Sequence, residues 1–164
     1  MKTSLAMSTL DFQKALANEI EKLLKDIVMK DADGKRHVGV SVYRQFLPKV
    51  TEDDEDDTKF FPYALVRLQQ GTTPDDYECW KVDADIILGI FDDDPETDGN
   101  DHIMVMIQRI TNRFSQEARL APNFTCDRAM DWAVQDEDTY PYYFGLVQLK
   151  FWVPKMGRSI PKYE

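Results

Sequence analysis

YECWKVDADIILGIFDDDPETDGNDHIMVMIQRI, residues 77–110, changes hydrophobic period once, and that change decides the fold. In its first half Trp80, Val82, Ala84, Ile86, Leu88 and Ile90 alternate with Cys79, Lys81, Asp83, Asp85, Ile87 and Gly89. A period of two gives a β-strand with one wholly apolar face and a second face that starts wet and becomes mixed. In its second half Ile103, Ile107, Ile110 and, just beyond, Phe114 recur at steps of 4, 3 and 4. That spacing is one buried stripe of an amphipathic helix.

Between the two lie Asp92, Asp93, Asp94, Glu96, Asp98 and Asp101, with Pro95 and Gly99. Counted from Asp94, positions 1, 3, 5 and 6 imitate an EF-hand calcium loop. The imitation fails at position 12, where the bidentate Glu is replaced by Val105, and at position 8, where Asp101 stands for an apolar residue. A strand precedes the loop where an EF-hand needs a helix. The stretch therefore reads as a strand-to-helix junction. Pro95 and Gly99 bend the chain, Asp98, Asn100 or Asp101 cap the first helical turn, and the other carboxylates favour the positive end of its dipole.

Upstream, Phe12, Leu16, Ile20, Leu23 and Ile27 recur at helical spacing, with Leu24 and Val28 widening the stripe. Ser8 or Thr9 can cap this first helix, and Asp33-Gly34 ends it with a turn. HVGVSVYRQFLP (37–48) alternates as one strand, with Val38, Val40 and Val42 on one face. Glu52, Asp53, Asp54, Glu55, Asp56 and Asp57 then form an acidic run that reads as a solvated loop. FFPYALVRLQQG (60–71) is a further strand, in which Pro62 marks the first residues or an exposed edge.

Downstream of the second helix, Ala121-Pro122-Asn123 is a break. FTCDRAMDWAV (124–134) alternates Phe124, Cys126, Met130 and Trp132 against Thr125, Asp127 and Asp131. YYFGLVQLKFWVP (142–154) places Val147, Leu149, Phe151 and Val153 on one side. The order is α-β-β-β-α-β-β. It predicts an α+β, two-layer fold: a mainly antiparallel sheet of about five strands against two amphipathic helices. Residues 1–155 form one domain, and the aperiodic 156–164 a loosely ordered tail.

The chain has 164 residues, enough for one domain with a real core, and a net charge of −10. That sign argues against tight binding of nucleic-acid phosphates, although an acidic wall lets DNA slide past without sticking. No run approaches the length of a membrane span, and the N-terminus meets Asp11, Lys14 and Glu19 too early for a signal peptide, so a cytoplasmic protein without membrane association is expected. Two cysteines, Cys79 and Cys126, lie in strand-like sequence without basic neighbours and read as small hydrophobes.

No catalytic constellation emerges. The histidines are His37 and His102, and HExxH, G-x-S-x-G, P-loop and G-x-G-x-x-G patterns are absent. Asp83 and Asp85 share a strand face, and paired carboxylates can hold Mg²⁺. The alternative reading is thus a metal-dependent, nuclease-like or ion-binding protein using Asp83, Asp85 and the acidic turn Asp92–Asp101. Against it, a restriction-type core needs a carboxylate and then Lys two residues later, whereas Glu78 and Lys81 are three apart and on opposite faces. The expectation is a non-enzyme without cofactor or metal.

The last strand is rich in aromatics. Opposite Val147 and Leu149 lie Phe144, Leu146 and Trp152, interleaved with Gln148 and Lys150. Two helices cannot cover both faces of the sheet, so these five residues are the candidate subunit interface.

FPYALVRLQQG (61–71), VDADIILGIFDDDPETDGNDHIMVMIQRI (82–110) and YPYYFGLVQLKFWVP (140–154) resemble, in order and spacing, the tail terminator (tail completion) proteins of long-tailed bacteriophages and prophages. The resemblance spans about residues 60–155. It implies a two-layer subunit that assembles as a homo-oligomer, usually a hexameric ring, on the head-proximal end of the tail tube. There it stops tube growth and joins the tail to the head. Its partners would be the major tail tube protein and a head-completion or connector protein, with DNA passing through and not held tightly. It implies no catalysis and no cofactor, and places the protein in the host cytoplasm during assembly and then in the virion. In such a ring the acidic run Glu52 to Asp57 would face the lumen or a partner.

Overall fold

The computed structural model describes residues 8–50, 57–74 and 79–155. Two helices, α1 (Thr9–Leu24) and α2 (Gly99–Gln116), lie on one face of a mostly antiparallel sheet. Its strands are β1 (Val28–Lys30), β2 (Arg36–Val38), β3 (Ser41–Arg44), β4 (Tyr63–Thr72), β5 (Cys79–Phe91), β6 (Arg119–Leu120), β7 (Phe124–Cys126), β8 (Asp131–Val134) and β9 (Tyr142–Pro154). The architecture is α+β and two-layered, as the periodicities require.

The frame is β4–β5–β9. β5 pairs along its whole length with β9, from Cys79 opposite Pro154 to Phe91 opposite Tyr142. On its other edge β5 pairs with β4, from Tyr63 opposite Gly89 to Thr72 opposite Lys81. β3 flanks β4, while β8 and the β7–β6 pair flank β9. The β1–β2 hairpin joins the end of β5, with Lys30 opposite Phe91.

The helix-facing side is the main core. Val82, Ala84, Ile86, Leu88 and Ile90 of β5 and Val147, Leu149, Phe151 and Val153 of β9 are almost wholly buried, as their alternation demands. Phe12, Leu16, Ile20 and Leu24 of α1 and Ile103, Ile107, Ile110 and Phe114 of α2 close over them. The Phe12 ring sits 4.8 Å from Phe151 and 5.3 Å from Phe124. Gly145 lets α2 settle close to β9, since a Cβ there would stand 2.6 Å from Ile103 Cγ2.

Both helix starts follow from capping chemistry. Ser8 Oγ accepts the Asp11 N–H (3.0 Å), and Asp98 Oδ1 accepts the Asn100 N–H (2.9 Å). The acidic stretch is therefore a strand-to-helix junction, with β5 ending at Phe91 and α2 opening at Gly99.

Where five long strands were expected, nine are found, because several segments are cut. The α1 stripe stops at Leu24, and Val28 belongs to a strand. Ile27 still points into the core, but Asp31 Oδ1 accepts from the Asp33 and Lys35 N–H groups and makes the turn a hairpin turn. Segment 37–48 breaks at Gly39, whose φ of +86° is open to glycine. Val38 therefore ends up exposed, while Val40 is buried.

β3 and β4 run parallel, where antiparallel pairing was expected. Residues 45–62 separate them, long enough for a crossover that brings the chain back in the same direction. Pro62 immediately precedes β4, which lies between β3 and β5 and is not an edge strand. Segment 124–134 is also cut: residues 127–130 bulge opposite residues 149–150 of β9, and pairing resumes at Asp131 opposite Gln148.

The expected tail, 156–164, and the acidic run from Glu52 to Asp56 lie outside the described residues. Asp57 opens a single 3₁₀ turn, Asp57–Phe60, and its side chain is likewise outside the described set.

One polar device stabilises the parallel pair. Gln45, at φ +65°, follows the last residue of β3, and its side-chain amide continues the ladder. Gln45 Oε1 accepts the Leu68 N–H (2.7 Å) and the Gln13 amide (2.6 Å), while its backbone N–H donates to Val66 O (2.9 Å). The ladder of β4 against β5 shifts register at this level, between Leu68 and Gln70.

Candidate interaction face

The face of the sheet away from the helices divides into an apolar end and a polar end. At the apolar end Phe60 and Phe61, with Leu47 and Val50 beside them, pack on the sheet, so a second core forms from Phe60, Phe61, Tyr63, Leu65 and Phe91. Phe144 and Tyr142 pack against it, with ring centroids 5.8 Å and 4.9 Å from Phe61. A cavity of about 250 Å³ remains there, lined by Leu47, Thr58, Phe61, Tyr63, Tyr142 and Phe144 among others.

Of the five candidate interface residues, Phe144 is engaged within the chain at this end. Leu146, Gln148, Lys150 and Trp152 continue along the same face toward the polar end, none of them fully buried.

At the polar end the side chains form transverse rows set by strand register. Gln70, Asp83 and Lys150 make one row. Arg67, Asp85, Gln148 and Asp131 make the next. Gln69 Nε2 donates to Asp85 Oδ2 (2.8 Å), and Gln70 Nε2 donates to Asp83 Oδ2 (3.2 Å). Lys81 Nζ lies 3.8 Å from Asp127 Oδ2 and 5.2 Å from the Trp152 ring centroid. The result is an open groove of about 380 Å³ with mixed charge.

The acidic turn sits at the opposite end of β5 from Asp83 and Asp85. Asp92 lies seven positions beyond Asp85, about 23 Å along an extended strand, so these carboxylates do not converge on one centre. Among the described residues, no group of three or more His, Cys, Asp and Glu side chains is placed to hold a metal ion.

Asp92 is buried, which its place in the acidic run does not indicate. Its carboxylate accepts the Thr97 hydroxyl (2.6 Å to Oδ2) and the Asp94 N–H (3.0 Å to Oδ1), with His102 Nε2 at 3.8 Å. Asp94 Oδ1 accepts the Glu96 N–H at 2.9 Å. These bonds shape the turn from within. The turn also docks on the Tyr140-Pro141 corner: the Asp92 N–H donates to Pro141 O and the Tyr140 hydroxyl to Asp93 O, both at 2.8 Å.

The cysteines stand apart from this face chemically. Cys126 is buried in the main core, and burial, aided by the neighbouring Asp127, pushes its thiol up to about 12. Such a thiol does not ionise at neutral pH. Cys79, at the start of β5, is half-buried.

Among the described residues no helix is long and apolar enough to cross a membrane. No protein-family model matches the chain, and no curated protein matches it.

Proposed function

We propose that the protein is a tail terminator of a long-tailed phage or prophage: a ring-forming structural protein that caps the head-proximal end of the tail tube and joins it to the head. One observation carries this reading. The three stretches that resemble tail terminators occupy adjacent positions in the fold. They form β4, β5 with α2, and β9, and their distinctive corners meet at one end of the sheet. Phe61 of the first packs on Tyr142 of the third, and Asp92 and Asp93 of the second bond to Pro141 and Tyr140. Motifs scattered over residues 61–154 thus build a single structural feature.

The two-layer architecture is the one the resemblance implies. The polar groove, with Asp83 and Asp85 engaged by glutamine amides, suits recognition of a protein surface more than catalysis. The net charge of −10 suits a passage along which DNA moves without being gripped.

The test uses purified tail tubes assembled from a major tail protein, with length read by electron microscopy. Added protein should stop elongation and appear as a ring at one end of each tube, and native mass spectrometry should detect a closed oligomer. Unchanged tube growth at saturating protein would reject the assignment.

A further inference from the structure

We infer that copies of this chain join head to tail through their sheet edges, β8 of one subunit pairing with β3 of the next. This rests on the ring reading above and names the surfaces that would close such a ring.

The first ground is topology. Along the path β3–β4–β5–β9–β8, the outer strands each pair with one described strand only, β3 with β4 and β8 with β9. Both edges therefore present backbone N–H and C=O groups outward. β3 is parallel to β4, and each later step along the path is antiparallel, so β3 and β8 run in opposite directions. Two subunits in the same orientation thus bring β8 of one against β3 of the next as an antiparallel pair. Each subunit uses two different edges, as a ring requires, whereas β8 against β8 would stop at a dimer.

The second ground is side-chain character on matching faces. Val42 and Arg44 sit opposite Ala64 and Val66, whose side chains enter the main core, so they share the helix side of the sheet. Trp132 and Val134 sit opposite Val147 and Gly145 and also take the helix side. Yet Trp132 is 53% exposed and Val134 40%. Exposed edge strands are usually blunted by Lys or Pro, but β8 reads Asp-Trp-Ala-Val. Pairing in which Val42 faces Val134 and Arg44 faces Trp132 covers the valines and sets a guanidinium on an indole ring.

The third ground is charge. β8 leads directly into Asp136, Glu137 and Asp138, and residues 131–138 contain no cation. In the same register this acidic stretch runs past Gly39 of the neighbour, where a Cβ would stand 3.1 Å from the Lys25 carbonyl oxygen. Exposed Lys25 and Lys14 lie along α1 beside β3, with Glu21 between them. In a chain of net charge −10, a cation-bearing edge opposite a purely acidic one is a complementary pair.

The test is a disulfide placed across the contact, Val42→Cys with Val134→Cys in a Cys79→Ser background. Four strand spacings, about 19 Å, separate β3 from β8 within one chain, too far for an internal bridge. After mild oxidation the double variant should give a ladder of covalent oligomers on a non-reducing gel, ending in one closed species, while each single variant stays monomeric. Dimers from either single variant would overturn the head-to-tail arrangement in favour of a two-fold one. A double variant that forms no ladder, with a native circular dichroism spectrum, would overturn the edge pairing. If that same variant still caps tail tubes, the ring contacts lie elsewhere and the terminator reading stands. If the unmodified chain fails to cap them, that reading falls by itself.

Discussion

Asp92 is one of six acidic residues within ten positions, yet it differs physically from its neighbours because it is 6% exposed and holds Thr97 and the Asp94 N–H. Replacing it by Ala removes the acceptor of the Thr97 hydroxyl and of the Asp94 N–H, so Asp92→Ala should lower unfolding stability by about 1 kcal/mol in urea denaturation. Asp94→Ala, at a half-buried site where the carboxylate holds only the Glu96 N–H, should cost less. Sequence periodicity located this junction and its capping role, but it cannot tell which carboxylate of a cluster turns inward. That depends on the Tyr140-Pro141 corner, about fifty residues away. The cysteines were legible as hydrophobes. At pH 8 a maleimide should label native protein at Cys79 alone, and Cys126 should react only after unfolding, as read by mass spectrometry. Rapid labelling of Cys126 in native protein would contradict its burial.

Among the elements, α1 and α2 are joined by two arginines. Arg113 Nε donates to Glu19 Oε2 (2.6 Å), and its other nitrogens donate to Glu117 O and Arg119 O, tying α1, the end of α2 and β6 together. With both side chains about one-fifth exposed, Arg113→Ala should cost about 2 kcal/mol, with Lys restoring only part of it because the fork of donors is lost. Arg109 bonds to Asp26 and to Leu23 O at the end of α1. The Arg109 hydrogen bond holds the exposed Asp26 carboxyl below its ordinary value. A depressed carboxylate contributes stability above its unfolded pKa, and that contribution is lost as pH falls through the folded value. Acid titration below about pH 4 should therefore destabilise the wild type slightly more than Asp26→Asn, with the two curves parallel at neutral pH.

The elements also show why sequence reading undercounted strands. Long runs with a single period, such as β5, β9 and both helices, were legible to within a few residues. Segments 37–48 and 124–134 kept their alternation but were cut by a glycine at positive φ and by a bulge. Neither changes the apolar pattern. Because residues 127–130 oppose two residues of β9, the bulge preserves parity: Trp132 remains on the helix side with Cys126, as the alternation predicted. Its exposure comes from position, since β8 lies at the sheet margin, outside β9.

At the level of the whole molecule, the two-layer plan follows from two amphipathic helices and alternating strands. The partial cover on the opposite face does not. It depends on a parallel β3–β4 pair, and nothing in either strand's pattern states its direction. Phe144, one of the residues that looked most available for a partner, is therefore half-buried against Phe61, while Gln148 farther along the same strand stays exposed. The ring reading is best checked at this scale, through the assembled particle. Lysates lacking functional protein should accumulate tails of irregular, extended length by electron microscopy, and adding the purified chain should restore a uniform length.

The position of β9 has a consequence for how the chain is made. β5 lies at the centre of the sheet, but its full-length partner is the last described strand to leave the ribosome. Until then β5 carries an apolar row and a bare edge, with only β4 and the two helices to shield it. Synthesis at about 5–20 residues per second leaves that edge uncovered for several seconds, an interval in which nascent copies on neighbouring ribosomes can pair wrongly. Asp83, Asp85 and Lys81, on the outer face of the waiting strand, place charges in the segment where such mispairing would begin.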